Sequence, residues 1–217
     1  MSAPRLPVGA TAAVAKLAAV PKLAAVAAVA ILLASCRSAP TRVFTLEAIA
    51  SKASAGGYAG PSIRVDAIKV PPAWDRLELL QATGRGEWRI DDFDHWAAPL
   101  GQLMREALTT DLTSRLPPDR VIFPSLPKPP GALGLRIDVL DFRAGASGAR
   151  LEASWIVTPA LGSMPATATP HSIVLEATAP ADGAAATARA LAELLARLAD
   201  AVVAQLNADS SASQGSR

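Results

Sequence analysis

A run of 13 uncharged, mostly apolar residues, Leu23–Ser35, ends at Cys36, the only cysteine in the 217-residue chain. The run decides which part of the sequence is free to build a core, because an apolar segment must be buried, inserted or removed. A helix crossing a hydrocarbon layer needs about 20 apolar residues, so this run is too short to span one. Arg5, Lys16 and Lys22 precede it, and no acidic residue occurs before Glu47. A positive segment, an apolar stretch and small residues at its end have the layout of a secretory signal. Residues 1–35 are therefore expected to be a cleaved leader, irregular in its early part where Pro7 and Pro21 stand.

Leu33-Ala34-Ser35-Cys36 resembles the lipobox of bacterial lipoproteins, a branched aliphatic and two small residues before a cysteine. A thiol is needed to accept a diacylglycerol, and small side chains give a peptidase access to the bond between Ser35 and Cys36. A core cysteine after an ordinary apolar helix is the competing reading; basic flank, apolar run and motif together favour lipidation. Each acyl methylene buried in a bilayer contributes about 0.8 kcal/mol and one chain anchors only marginally, so the two or three chains of a lipoprotein hold permanently. Acylation of Cys36 leaves no thiol for a disulfide or a nucleophile. The covalent lipid is thus the only non-protein group expected, with no other cofactor and no metal. Residue 37 is Arg rather than an inner-membrane-retaining Asp, which favours an outer-membrane anchor facing the periplasm over retention in the inner membrane.

The remaining chain is near neutral, because three of the 21 Lys and Arg lie in the leader and 19 acidic residues follow it. No basic footprint for nucleic acid exists. Residues 36–41 read as a lipidated terminus and tether, 42–206 as one domain and 207–217 as a frayed polar tail. Arg42–Ala48 and Ile63–Val70 alternate as strands, the second stopped by Pro71-Pro72. Gly84-Arg85-Gly86 reads as a turn into a strand at Glu87–Ile90. Trp96, Leu100, Leu103, Met104, Ala107, Leu108, Leu112 and Leu116 follow helical spacing, with Asp94 as the expected cap and Pro99 near the first turn. Val121–Phe123, Leu135–Phe142, Leu151–Val157 and Ile173–Ala177 read as further strands, and Leu191–Leu206 as a second amphipathic helix starting near Asp182 or Gly183. The expected fold is a single-domain α/β sandwich, a mixed sheet with two main helices.

Motifs for chemistry are weak. His95 and His171 are the only histidines, too few for an ordinary catalytic zinc set. Asp91, Asp92 and Asp94 in "DDFDHW" lack the EF-hand spacing and suit the positive end of a helix. "GASG" at 145–148 lacks the closing glycine of a hydrolase elbow, and Ser147 falls between strands. "PSLPKPPG" reads as a stiff loop, and no phosphate-binding loop motif is present.

Residues 69–117 carry a more specific pattern. A strand ends at Val70 and Pro72, an Asp75-Arg76 pair follows, and Trp96-Ala97-Ala98-Pro99-Leu100 opens a segment closed by Leu116-Pro117. With the early strand "TRVFTLEA", this order resembles the PqiC/YmbA family of ABC-type transport auxiliary lipoproteins. The resemblance implies a non-catalytic accessory subunit of a lipid-trafficking, membrane-integrity system. Its implied partners are an MCE-domain protein and that protein's inner-membrane permease, with self-association open. Asp75, Arg76 and Trp96 are then either partner contacts or an ion pair and a helix-start anchor, the second being favoured. A stand-alone lipid- or glycolipid-binding lipoprotein and, less well supported, a tethered hydrolase are the alternatives.

Overall fold

Apolar residues spaced by two become strands, and those spaced by three and four become two helices. The computed structural model describes residues 39–51, 57–84, 86–159, 169–178 and 183–215. Ser35, Cys36 and the leader lie outside them. The elements are β1 (Arg42–Phe44), β2 (Ile63–Lys69), β3 (Glu78–Gly84), β4 (Glu87–Trp96), α1 (Leu100–Thr113), β5 (Val121–Ile122), β6 (Leu133–Gly145), β7 (Gly148–Thr158), β8 (His171–Ala177) and α2 (Ala184–Gly215). All eight strands belong to one mixed sheet.

β6 joins the sheet's parts. One edge pairs antiparallel with β7, from Gly134↔Thr158 to Gly145↔Gly148, and β7 pairs antiparallel with β8. The other edge runs parallel to β2 from Leu133 to Asp138 and then meets β3 at Ala82↔Gly145. β3 and β4 form an antiparallel hairpin, β1 lies parallel to β4, and β5 parallel to β2. The turn "AGASGA" joins β6 to β7 as the sequence suggests, with Ser147 at its tip.

A bulge in β6 between Val139 and Asp141 sets which face each residue takes. Strict alternation from Leu135, Ile137 and Val139 would turn Phe142 to solvent. The extra residue reverses the phase, so Phe142 and Ala144 are buried while Leu140 is 56% exposed. The inward residues of β2, β6 and β7 receive both helices on one face. α2 presents Leu191, Leu194, Leu195, Leu198, Val202 and Leu206, and α1 presents Leu103, Met104, Ala107, Leu108 and Leu112, all buried. Each such leucine contributes about 1.5–3 kcal/mol by burial. The opposite sheet face stays wet and carries ion pairs, Arg150 with Glu152 at 2.8 Å and with Glu176 at 2.5 Å.

Four expectations are corrected. Trp96 and Asp94 do not start the helix; they end β4, because Asp94, His95 and Trp96 pair with Arg42, Val43 and Phe44. Asp91, Asp92 and His95 are likewise strand residues, so the carboxylates do not sit at a helix terminus. β1 stops at Phe44 rather than Ala48, because Leu46 turns into the core. The C-terminal helix continues to Gly215 instead of fraying after Leu206. Gln205 Nε2 donates to Asp209 Oδ1 at 2.7 Å, and the Ser210 and Ser211 hydroxyls donate to the Asn207 carbonyl at 2.9 Å.

At the β3–β6 crossing a Cβ on Gly145 would overlap the Ala82 carbonyl. Gly145→Ala is expected to cost at least about 2 kcal/mol in urea unfolding, the scale of an overpacked site. Gly57→Ala, where a Cβ meets nothing within 4 Å, serves as the control, with a change within about 0.5 kcal/mol.

Candidate functional site

The residues of the Pro72–Leu100 pattern meet at one corner. Pro71 stops β2, and its carbonyl accepts the N–H groups of Trp74 at 2.9 Å and Asp75 at 3.2 Å. This turn, with Pro72 exposed in it, delivers Asp75 to the start of α1, where Oδ1 accepts the Gly101 N–H at 2.9 Å. Pro99 occupies the N-cap position, with φ −50° and ψ 138°, and offers no side-chain oxygen. Asp75 therefore supplies from 26 positions away the acceptor that an N-cap serine would supply locally. It also brings negative charge to a helix whose first turn holds no acidic residue.

Arg76 does not pair with Asp75. Its Nε donates to Glu78 Oε2 at 2.8 Å, and that bond holds the Glu78 carboxyl below its usual range. The Trp96 N–H donates to the Leu77 carbonyl at 2.6 Å, while its ring and Leu100 are buried. Asp75 and Pro99 thus set the start of α1, while Trp96 and Leu100 belong to the core. Asp75→Ala is expected to lose about 1 kcal/mol in urea unfolding, with Asp75→Asn intermediate.

A second polar node was invisible in the sequence. Asp111 on α1 is 1% exposed and its Oδ1 accepts the Ile49 N–H at 2.6 Å. Arg115, also buried, donates through Nη1 to the Ile49 carbonyl at 2.9 Å and through Nε to Asp200 of α2 at 2.6 Å. Residues 45–51 are thereby strapped across both helices. Burial pushes the Asp111 carboxyl up to about 6, against the opposing effects of the Ile49 bond and Arg115. Its Oδ2 is buried without a partner, which suits the protonated form. A raised folded-state value favours the protonated carboxyl, so this contribution to stability is fully present below pH 3.8 and is lost as pH rises through 6. Replacing Asp111 by Asn removes that dependence. Relative to the unsubstituted chain, Asp111→Asn is expected to gain on the order of 2 kcal/mol in urea unfolding between about pH 4 and pH 7.5.

The strap forms one wall of a cleft of about 480 Å³. Val43, Phe44, Thr45, Glu47 and Ile49 face Ala185, Ala188, Arg189, Ala192 and Glu193 of α2 across it. Small side chains on the helix leave the space open, and charges of both signs stand at its rim. Sequence spacing could not reveal it, since its walls lie about 140 residues apart.

The other sequence candidates are dispersed. His95 Nε2 lies 3.1 Å from the Asp92 carbonyl on β4, whereas His171 on β8 stacks on Trp155 at 5.6 Å. Asp94 is bound through both its oxygens by Arg42, at 2.6 and 2.7 Å. Among the described residues no group of three or more His, Cys, Asp or Glu is placed to hold a metal ion.

Comparison with known proteins matches residues 44–203 to the family described as ABC-type transport auxiliary lipoprotein component. No curated protein matches the chain. Two crystal structures share the fold. An uncharacterized protein is 18% identical with a TM-score of 0.63, covering 77% of this chain and 99% of its own. Protein XCC0632 from Xanthomonas campestris, described under the family term DUF330, is 14% identical with a TM-score of 0.62, covering 80% and 99%. The family match takes in every strand from the last residue of β1 onward, the α1 corner and most of α2. The chain belongs to the ABC-type transport auxiliary lipoprotein component family.

Proposed function

We propose that the protein is a non-catalytic docking subunit, anchored through acylated Cys36 in the outer membrane and holding an MCE-domain protein of a lipid-transport system from the periplasmic side. The observation that carries this reading is the family match over residues 44–203, which makes the chain an auxiliary component of an ABC-type transporter. An auxiliary subunit with a lipidated terminus has a physical task available to it: acyl chains fix one end while the folded domain grips a partner. Two features support the reading. No helix among the described residues is long and apolar enough to cross a membrane, which is compatible with attachment through the lipid. Two of the charged residues singled out in the sequence are engaged in fold-holding bonds, Asp75 at the helix start and Asp94 with Arg42. The MCE protein's inner-membrane permease completes the proposed assembly.

Labelled palmitate should enter the full chain and not a Cys36→Ser variant, which should leave the membrane fraction. Cross-linking in membranes should join the lipidated protein to the MCE protein, with the permease recovered alongside. A Cys36→Ser chain that stays membrane-bound, or a cross-linked sample free of MCE protein, overturns the proposal.

A further inference from the structure

Among the described residues, the cleft between β1 and α2 borders an edge of the sheet that no further strand pairs. β1 uses one edge for β4: Phe44 pairs with Trp96, and the Phe44 carbonyl accepts the Ala97 N–H at 2.8 Å. In a parallel ladder the residues on either side of such a position point their N–H and C=O groups the other way. Val43 therefore directs its main-chain groups away from β4, as does the Thr45 N–H, which lies opposite the Phe44 carbonyl in their shared peptide plane. Thr45 has no hydrogen bond among the described residues, and Val43 is 63% exposed. Both residues line the cleft, whose far wall is the Ala185–Glu193 face of α2. An edge of this kind is a template for another strand.

We infer that the β1–α2 cleft takes an extended polypeptide segment of a partner, added as a strand on the free edge of β1, with apolar side chains at alternate positions and at least one Lys or Arg. Three features select that occupant. The edge offers main-chain groups in the alternating pattern that a peptide backbone satisfies and an acyl chain does not. From Ala185 to Glu193 the helix wall runs on the order of 12 Å at 1.5 Å per residue. That length matches roughly four residues of strand at about 3.3 Å each. The floor holds Phe44, Ile49 and alanines, which suits apolar side chains on the strand's inward face. Glu47 and Glu193 outnumber Arg189 at the rim, and none of the three forms an ion pair with a described residue, so the rim favours a cationic segment. The biological role assigned to this site rests on the docking reading above; the binding mode itself does not.

The test uses the full chain in detergent and a displayed library of random heptapeptides. Selected peptides should alternate apolar and polar residues, carry Lys or Arg, and slow hydrogen exchange at the Val43 and Thr45 amides. Thr45→Pro removes an edge N–H without touching the β4 ladder, and should weaken these peptides at least tenfold. Ala185→Trp fills the cleft from an exposed position and should do the same; circular dichroism verifies that both variants fold. Failure to enrich peptides, or peptides that bind Thr45→Pro as well as the unsubstituted chain, overturns the inference. Phosphatidylethanolamine in mixed detergent micelles that binds the unsubstituted chain and Thr45→Pro, but not Ala185→Trp, would show a lipid cleft instead and also overturn it. A Thr45→Pro chain that loses the peptides yet still cross-links to the MCE protein would remove this site as the dock while leaving the docking function standing.

Discussion

Every part of the sheet is connected through β6, and one strand can serve so many neighbours only because its two edges are used differently. The β7 edge is antiparallel along nearly the whole of β6, interrupted by the bulge between Val139 and Asp141. The opposite edge is divided between β2 and β3, so the parallel strands and the β3–β4–β1 subsheet hang from the same backbone. The bulge after Val139 is what allows this, since bulges bend a strand and increase its twist. It also keeps Phe142 and Ala144 in the core beyond the bend. Gly145 then lets the Ala82 backbone approach where any side chain would separate the strands.

The helices are placed by bonds of long sequence reach rather than by their own ends. α1 begins with a proline that fixes backbone direction and offers no cap, and Asp75 provides the missing acceptor from the turn after β2. At the other end Arg115 ties α1 to α2 through Asp200 and to the strap through Ile49. A buried carboxyl and guanidinium with unequal partners are a costly means of stability. Their position suggests what they secure instead: the course of residues 45–51, which would otherwise be free to continue β1 or to fall onto α2. Holding the strap there keeps the cleft open.

The legible parts of this molecule are those with an uninterrupted period. β7 alternates through Leu151, Ala153 and Trp155, and α2 repeats through Leu191, Leu195, Leu198 and Val202, so both were readable from spacing. Trp96 misled because it stands four residues before Leu100 and so fits the helical series, although its main chain is already committed to β1 and β4. The same local pattern satisfied both periods, and long-range pairing with Arg42–Phe44 decided between them. The α2 tail misled for a related reason, since small polar residues read as a frayed end while their side chains bond along the helix. Adjacency suggested that Asp75 pairs with Arg76, whereas the turn at Pro71 carries the Asp75 carboxylate to Gly101 and Arg76 bonds Glu78. The strap and cleft had no sequence signal at all, being made from two short stretches with no shared period.

An open edge on a secreted or tethered domain needs a reason, because unpaired strands invite aggregation and are usually shortened, charged or covered. β1 is shortened to three residues and begins with Arg42, whose side chain is drawn aside by Asp94, so half of the usual protection is present. The remaining half is missing where Val43 and Thr45 face the cleft, and α2 stands back instead of covering it. If Cys36 is acylated as proposed, the five residues 37–41 separate the anchor from Arg42. At no more than about 3.6 Å per residue they hold β1 within about 20 Å of the bilayer surface. A partner strand entering there would be gripped next to the anchor. A pull along the partner would then load the tether and β1 rather than the helical layer, an arrangement suited to the proposed docking role.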